Sequence, residues 1–479
     1  MIMIRSCRRC LVGCLVTLLA IVPSFASEYF VDSQWGNDAN DGRSPETAWK
    51  SLEKVNGASL DGKDVIRFRR GRIWRGTLMP HSGTGGRPVT YAAYGEGQKP
   101  IIQQSLDRSR ADDWISVGTG LWSTRPESPI ALDVGLFVVD HGKRWGVKKW
   151  NADHWRPPRI LRYRQSEKIT DELDFWYDSN GKRVVVKCAE NPGSTFDSIE
   201  LALTQDIVME HGKHDVVYDG LWLRYGAAHG VGGGSVSNIV VRNCDICWIG
   251  GGLQRWQKER KTGRLLYPVR FGNGVEFWSD CRNCLVENCR IWEVYDSALT
   301  NQGKNSEQAD IIYRNNVIWN CENSFEYWNS GVTRNVQFIH NTCVDAGCGW
   351  GHGQRPNPNA SHVLFFPYRP KEAHVVVRDN VFCNSVNWSM RCDFDWRGGV
   401  VLDRNLVYNS NPDVPIMRWL DGDKVKLLDW HSHQALGFDV NGLLARPDFC
   451  DAKKRDYRLR RYSPGWALSS DGGCVGVRQ

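Results

Sequence analysis

Two short segments of this 479-residue chain share one chemical pattern, Glu276-Phe277-Trp278 and Glu326-Tyr327-Trp328. In a β-strand, successive side chains point to opposite faces. Each Glu therefore shares a face with its Trp, and the middle aromatic turns the other way. With Phe277 and Tyr327 in a core, two carboxylates and two indoles stand on one outer face. An acid, a base and flat stacking surfaces are what cleavage of a glycosidic bond requires. A third acid, Asp296, lies between them in Tyr295-Asp296-Ser297, followed by Leu299-Thr300-Asn301. Further along, Trp350-Gly351-His352-Gly353-Gln354-Arg355 sets a His among glycines, which let a ligand approach the backbone. His352 is a candidate base, and Arg355 a candidate partner for a sugar carboxylate. The expected catalytic residues are thus Glu276, Asp296, Glu326 and His352. The expected substrate-binding residues are Trp278, Asn301, Trp328, Trp350, Arg355 and Arg391, the last beside Asp393. His229, in Ala227-Ala228-His229-Gly230, reads as structural.

Residues fifty positions apart act together only if the fold stacks them. Between Val216 and Tyr408 an apolar, mostly β-branched run ending in Asn or Cys recurs. The copies start at Ile239, Cys284, Ile311, Val336, Val375 and Val400, with a degenerate one at Val216. A period near two dozen residues, with no helical periodicity, predicts an all-β fold, a right-handed parallel β-helix with one repeat per coil. Coils stack about 4.8 Å apart. The last residues of the copies, Cys244, Cys289, Asn316, Asn341, Asn380 and Asn405, form a column. Asn suits it because it tolerates a left-handed turn and can hydrogen-bond to the next rung. The segment after this column is expected to be the second strand of the coil and to carry the two Glu-aromatic-Trp patterns. Glu276 and Glu326 then lie two coils apart, roughly 9.6 Å between backbones, near the upper end for an inverting carboxylate pair. Asp296 lies about one rise from either, which suits a retaining pair. Both outcomes stay open.

The wide steps from 239 to 284 and from 336 to 375 locate insertions, Gly250 to Phe271 and Gly351 to Lys371. Insertions of this size on a solenoid usually build a binding wall. At the N-terminal end, Ser44-Pro45-Glu46 predicts a short capping helix running to about Asn56. Asp64–Phe68 and Pro88–Ala92 read as early coil strands. The expected divisions are 27–105 for the cap and first coils, 106–205 for an inserted antiparallel β module, 206–410 for the repeats and 411–479 for a closing segment. Within the module, Asp174 to Lys187 around Asn180-Gly181 predicts a hairpin.

Composition narrows the classes. The chain is 41% hydrophobic and 24% charged, which excludes a disordered chain. Arg5, Arg8 and Arg9, the apolar run Leu11 to Val22 and Ser24-Phe25-Ala26 read as an export signal cleaved near Ala26. No stretch is long and apolar enough for a membrane span. The formal charge of +7 falls to +4 without the three leader arginines, too weak to argue for nucleic acid. Thirteen of the 16 cysteines follow the leader. Cys244-x-x-Cys247 and Cys281-x-x-Cys284 lack a matching His/Cys pair and read as packing residues or local disulfides rather than zinc ligands. Cys450 and Cys474 are a possible pair. Asp32 to Ser44 reads as a turn cluster, with a calcium ion as the alternative occupant. No other cofactor is expected, and the chain is expected to be a monomer.

Several N-terminal segments carry a resemblance. Asn40 to Trp49, Trp74 to Leu78, Tyr91 to Gly95 and Lys99 to Ile102 resemble the start of secreted bacterial right-handed parallel β-helix proteins. Asp174 to Asp178, Ser198 to Glu200 and the later repeats extend the likeness. The chain is similar to glycoside hydrolase family 141, a resemblance that implies action on fucosides or xylans. Polysaccharide lyases share the same solenoid. Three readings follow. The first is a glycan hydrolase, with Glu326 or Asp296 as the acid and the other carboxylates as base or nucleophile. The second is a uronate lyase using His352 and Arg355. The third is a non-catalytic glycan-binding envelope protein.

Overall fold

The computed structural model describes residues 26–150, 169–263, 265–356, 358–366, 370–393 and 398–478. The expected leader, apart from Ala26, lies outside them. The chain winds into a right-handed parallel β-helix with three long sheets. Taken in the order of one coil, the first sheet has ten strands, from Glu28–Val31 to Val400–Asp403. The second also has ten, from Ile73–Arg75 to Leu443–Leu444. The third has nine, from Val208–Met209 to Lys424–Leu428. All six repeat copies fall on the first sheet, as do Val65–Arg69 and Val89–Tyr94. The Glu-aromatic-Trp segments lie on the third strand of the coil, not the second. A strand such as Asp245–Ile249 follows the ladder residue first and forms the second sheet.

The third-sheet strands that carry Glu276 and Glu326 alternate between a buried column and a more exposed one. Phe277, Asn301, Tyr327 and Phe365 are in register, all buried. One coil cannot bury its apolar side alone, so each leans on its neighbours.

The ladder is present. The Asn316 side-chain amide donates to the Asn341 carbonyl oxygen at 3.0 Å, Asn341 to Asn380 at 3.3 Å and Asn380 to Asn405 at 3.0 Å. Each also donates to a backbone carbonyl of the coil before it, Asn341 to that of Tyr313 at 3.0 Å. Asp439 ends the series by accepting from Asn405, with His433 on its other oxygen. The left-handed residue is one position earlier than the sequence implied. Asn243, Asn288, Asn315, His340, Asp379 and Arg404 have φ between 54 and 60°. That turn is what aims the next residue inward. Cys244 and Cys289 complete the column as buried thiols.

Near the N-terminus the helix is shorter than expected, Leu52–Asn56, capped by Ser51. Trp49 bridges Val31, and the Asp38 carboxylate accepts from the Lys50 and Ser51 amides. The chain is thus held extended up to the cap, and Ser44 is spent on a turn with Thr47. The Asp32 carboxylate accepts from two backbone amides and from Arg69 and Arg72. Cys450 and Cys474 are thiols with no disulfide between them.

The inserted module is two small, mainly antiparallel sheets with a core of their own around Phe137, Phe175 and Val186. Its hairpin pairs Asp174–Asp178 with Arg183–Lys187, the turn held by Asp178 accepting from the Asn180 and Gly181 amides. Leu136, Val138 and Ala202 seal the module against Tyr225, Trp248, Tyr295 and Trp350 of the β-helix side.

Replacing Asn341 by Ala removes the side-chain partner of the Tyr313 carbonyl and of the Asn316 backbone N–H in the core. At about 1–3 kcal/mol per buried polar group left unpaired, a loss of about 2–4 kcal/mol is expected in denaturant titration. A second prediction concerns Glu210, which is fully buried, with the Tyr218 hydroxyl only partly opposing the effect of that burial. Burial pushes it up to about 8. Its contribution is therefore intact below its ordinary range and is lost as pH rises through about 8. Thermal stability should fall across that interval, and Glu210→Gln should flatten the fall.

Candidate active site

Glu276, Thr300 and Glu326 sit in register on three neighbouring strands of the third sheet, with Leu364 on the next. Trp278, Gln302 and Trp328 form the parallel column two residues on. The two glutamates thus share one outer face, two rungs apart, and Asp296 enters from just before the intermediate strand. A cleft of about 540 Å³ lies over them.

The two insertions wall this cleft. Gly250 to Phe271 is a two-stranded hairpin that contributes Arg255, Val269 and Phe271. Its feet meet at Gly250 and Gly272, both at positive φ, where a side-chain carbon on Gly272 would lie 2.2 Å from the Gly250 Cα. The second insertion contributes Arg355 and Asn359, and the third-sheet strand Ser361–Phe365 within its expected bounds contributes Leu364, with Phe366 just beyond. Arg270 and Gln354 tie both insertions to the module. Arg270 donates to the Gly251 and Gly135 carbonyls and to Gln354, and Gln354 donates to the Gly146 carbonyl.

A chain of hydrogen bonds orients the carboxylates. The Asn273 amide donates to Glu276 Oε2 at 2.6 Å, and its oxygen accepts from the Ser297 backbone at 3.0 Å. Ser297 Oγ donates to Glu326 Oε2 at 2.8 Å, and Gln302 Nε2 to the same oxygen at 3.3 Å. His229 Nδ1 accepts from the Asn273 backbone N–H at 3.1 Å. Its proton therefore sits on Nε2, which faces Glu276 Oε1 at 3.4 Å. His229 is the histidine of this cleft and lines it directly. Sequence reads His229 as structural because its partner Glu276 lies 47 positions away in the chain.

Electrostatics separates the acids. Burial, then the negative charge of Asp296, pushes Glu326 up to about 7, against the Ser297 hydrogen bond. Burial also raises Glu276, while His229 and Asn273 oppose it. Asp296 is ion-paired, its Oδ1 2.6 Å from Arg355. Three carboxyls of differing environment in one cleft are a workable acid/base set.

Four expectations need correction. Asn301 points inward, where its oxygen accepts from the Tyr313 hydroxyl at 2.8 Å. It shares the column of Phe277 and Tyr327, so the alternation that turns Glu276 outward turns Asn301 in. Trp350 is buried beneath the insertion, its ring tilted against that of Tyr295, with its indole N–H on the Glu293 carbonyl. His352 does not line the cleft. Its Nδ1 lies 2.9 Å from buried Glu322. Burial would push Glu322 up, but the His352 hydrogen bond and the Arg355 charge hold it below the usual carboxylate range. Arg391 stands one rung beyond Leu364 and pairs bidentately with Asp393 rather than lining the cleft. Arg355 does line it; its Nη1 donates to Asp296 and to the Tyr295 carbonyl, and its Nε lies 3.6 Å from Glu322. Trp278 and Trp328 are on the cleft as expected, their rings edge-on at 5.1 Å.

No family model matches the chain. A lacto-N-biosidase of Bifidobacterium longum subsp. longum is 34% identical over 90 residues, 17% of this chain. This stretch spans only 6% of that relative's length. A solved structure titled glycoside hydrolase superposes with a TM-score of 0.50 at 11% identity, covering 85% of this chain and all of that one. A rhamnogalacturonan lyase gives 0.49 at 10% identity, covering 94% and 95%. At such identities the likeness is one of fold.

Titration of side-chain carboxyls, followed by infrared difference spectroscopy, should reveal one acid ionising near pH 7. It should vanish in Glu326→Gln. In Asp296→Asn it should move down, because the charge that raises it is gone.

Proposed function

We propose that the protein is a secreted glycoside hydrolase whose active site is the third-sheet cleft. The observation that carries this reading is the pairing of Glu326, pushed up to about 7, with two further carboxylates and two indoles on one face. Protonated Glu326 donates to the glycosidic oxygen of the leaving group. Glu276, held by Asn273 and facing His229, takes a proton from the water that attacks the anomeric carbon. That proton replaces, over the cycle, the one Glu326 delivers. Asp296, fixed by Arg355, places negative charge beside the oxocarbenium-like transition state. Trp278 and Trp328 supply faces on which sugar rings can rest. Separation by two rungs favours the inverting arrangement, with room for the water.

The short lacto-N-biosidase match and the resemblance to family 141 support hydrolysis. A lyase needs an available base and a cation for the uronate. His352 is tied to Glu322 and Arg355 to Asp296, which weighs against that route. The export signal read in residues 1–26 supports action outside the cytoplasm.

The test is a panel of plant, algal and host glycans assayed together for new reducing ends and for ultraviolet absorbance. Reducing ends without absorbance are expected. A product absorbing in the ultraviolet would replace hydrolysis by elimination. Glu326→Gln should lower turnover by about 10²–10⁴-fold, and activity should decline on the alkaline side of about pH 7 as Glu326 ionises.

A further inference from the structure

A second, larger hollow lies on a different face. It measures about 930 Å³ and opens between the outer side of the second sheet and the closing segment. Its origin is a change of side-chain size along one outward column. Trp292, Trp319, Val344, Cys383 and Tyr408 follow one another in register on successive strands. Trp292 and Trp319 stack face to face, with centroids 4.7 Å apart. The next two positions carry only Val and Cys, so the surface drops by most of an indole before Tyr408 raises it again. Residues 446–457 cross this step, and the space is left as a cavity rather than filled.

Its walls combine cations with aromatic faces. Arg446, Lys453 and Arg455 line it, with Tyr408, Phe449 and Tyr457. Two acids line it as well. Asp345 accepts from Asn384 Nδ2 at 3.0 Å, and Asp448 lies 4.0 Å from Arg460, which is outside the hollow. Arg455 donates to the Tyr457 hydroxyl at 2.6 Å. Arg446 and Lys453, by contrast, make no hydrogen bond or ion pair to any described residue. The acids and Arg455 therefore have partners within the protein, and two exposed cations do not.

We infer that this hollow is a second binding site, separate from the catalytic cleft, for an anionic oligosaccharide whose carboxylate or sulfate groups meet Arg446 and Lys453. Guanidinium and ammonium groups give charge-assisted hydrogen bonds to such anions, and Tyr408 and Phe449 offer ring faces to the sugar. Because it lies on the second sheet and the cleft on the third, one molecule can hold a glycan at both. The inference goes beyond the hydrolase reading and does not need it.

The test is calorimetric titration of the full mature chain with tetragalacturonate, a chondroitin sulfate tetrasaccharide and neutral xylotetraose. Binding of at least one anionic probe is expected, stronger than that of xylotetraose and weakened by salt. Arg446→Ala/Lys453→Ala should weaken it by about tenfold or more, whereas Glu326→Gln leaves it unchanged. Both substitutions are at exposed positions, and an unaltered melting temperature verifies the fold. The inference is overturned if neither anionic probe binds, or if the double variant binds as the parent does. Loss of binding in Glu326→Gln would place the probe in the cleft and overturn it too. Absence of hydrolysis with intact binding would count against the hydrolase reading alone.

Discussion

An amide buried in an apolar interior must find a partner, and in this protein the partner of each ladder asparagine is the next one. The Asn316–Asn341–Asn380–Asn405 series fixes the register between coils, and Asp439 closes it. Register matters because a slip of one residue would exchange the two faces of every third-sheet strand. Phe277 and Tyr327 would then face solvent, and Glu276 and Glu326 would enter the core. Placing two acids on a shared wall is thus a consequence of pairing made on another sheet.

The same stacking sets the chemistry. Parallel strands bring Ser297 between the glutamates, so one residue's backbone N–H holds Asn273 and its hydroxyl holds Glu326. Asn273 in turn holds Glu276 and polarises His229. The acids are therefore positioned by neighbours on adjacent rungs rather than by neighbours in sequence. Walls from the two insertions lower solvent access, and the resulting desolvation is the main reason Glu326 keeps its proton near neutrality. Function then depends on the insertions as much as on the strands, since an open solenoid face would weaken the burial that raises Glu326 and Glu276.

The solenoid, its repeat boundaries, the inserted module and the outward columns of Glu and Trp were legible in the sequence. Strong two-residue alternation and a recurring terminal Asn carry that information locally. What lay in the insertions was not legible. Trp350, His352 and Arg355 follow no strand period, so their directions are set by contacts with Tyr295, Glu322 and Asp296, far away in the chain. Asn301 was a different failure. Its register with Phe277 and Tyr327 follows from the alternation, which turns even a polar side chain inward, where the Tyr313 hydroxyl donates to its oxygen. The early helix failed because Asp38 and Val31 override the local Ser-Pro signal.

The most direct test of the account is a crystal structure of the Glu326→Gln variant with an uncleaved oligosaccharide bound. The account predicts a glycosidic oxygen within hydrogen-bond reach of position 326, a water between Glu276 and the anomeric carbon, and a sugar ring against Trp278 or Trp328. A glycan lying productively elsewhere, or a chain whose scissile bond sits away from both glutamates, would contradict it.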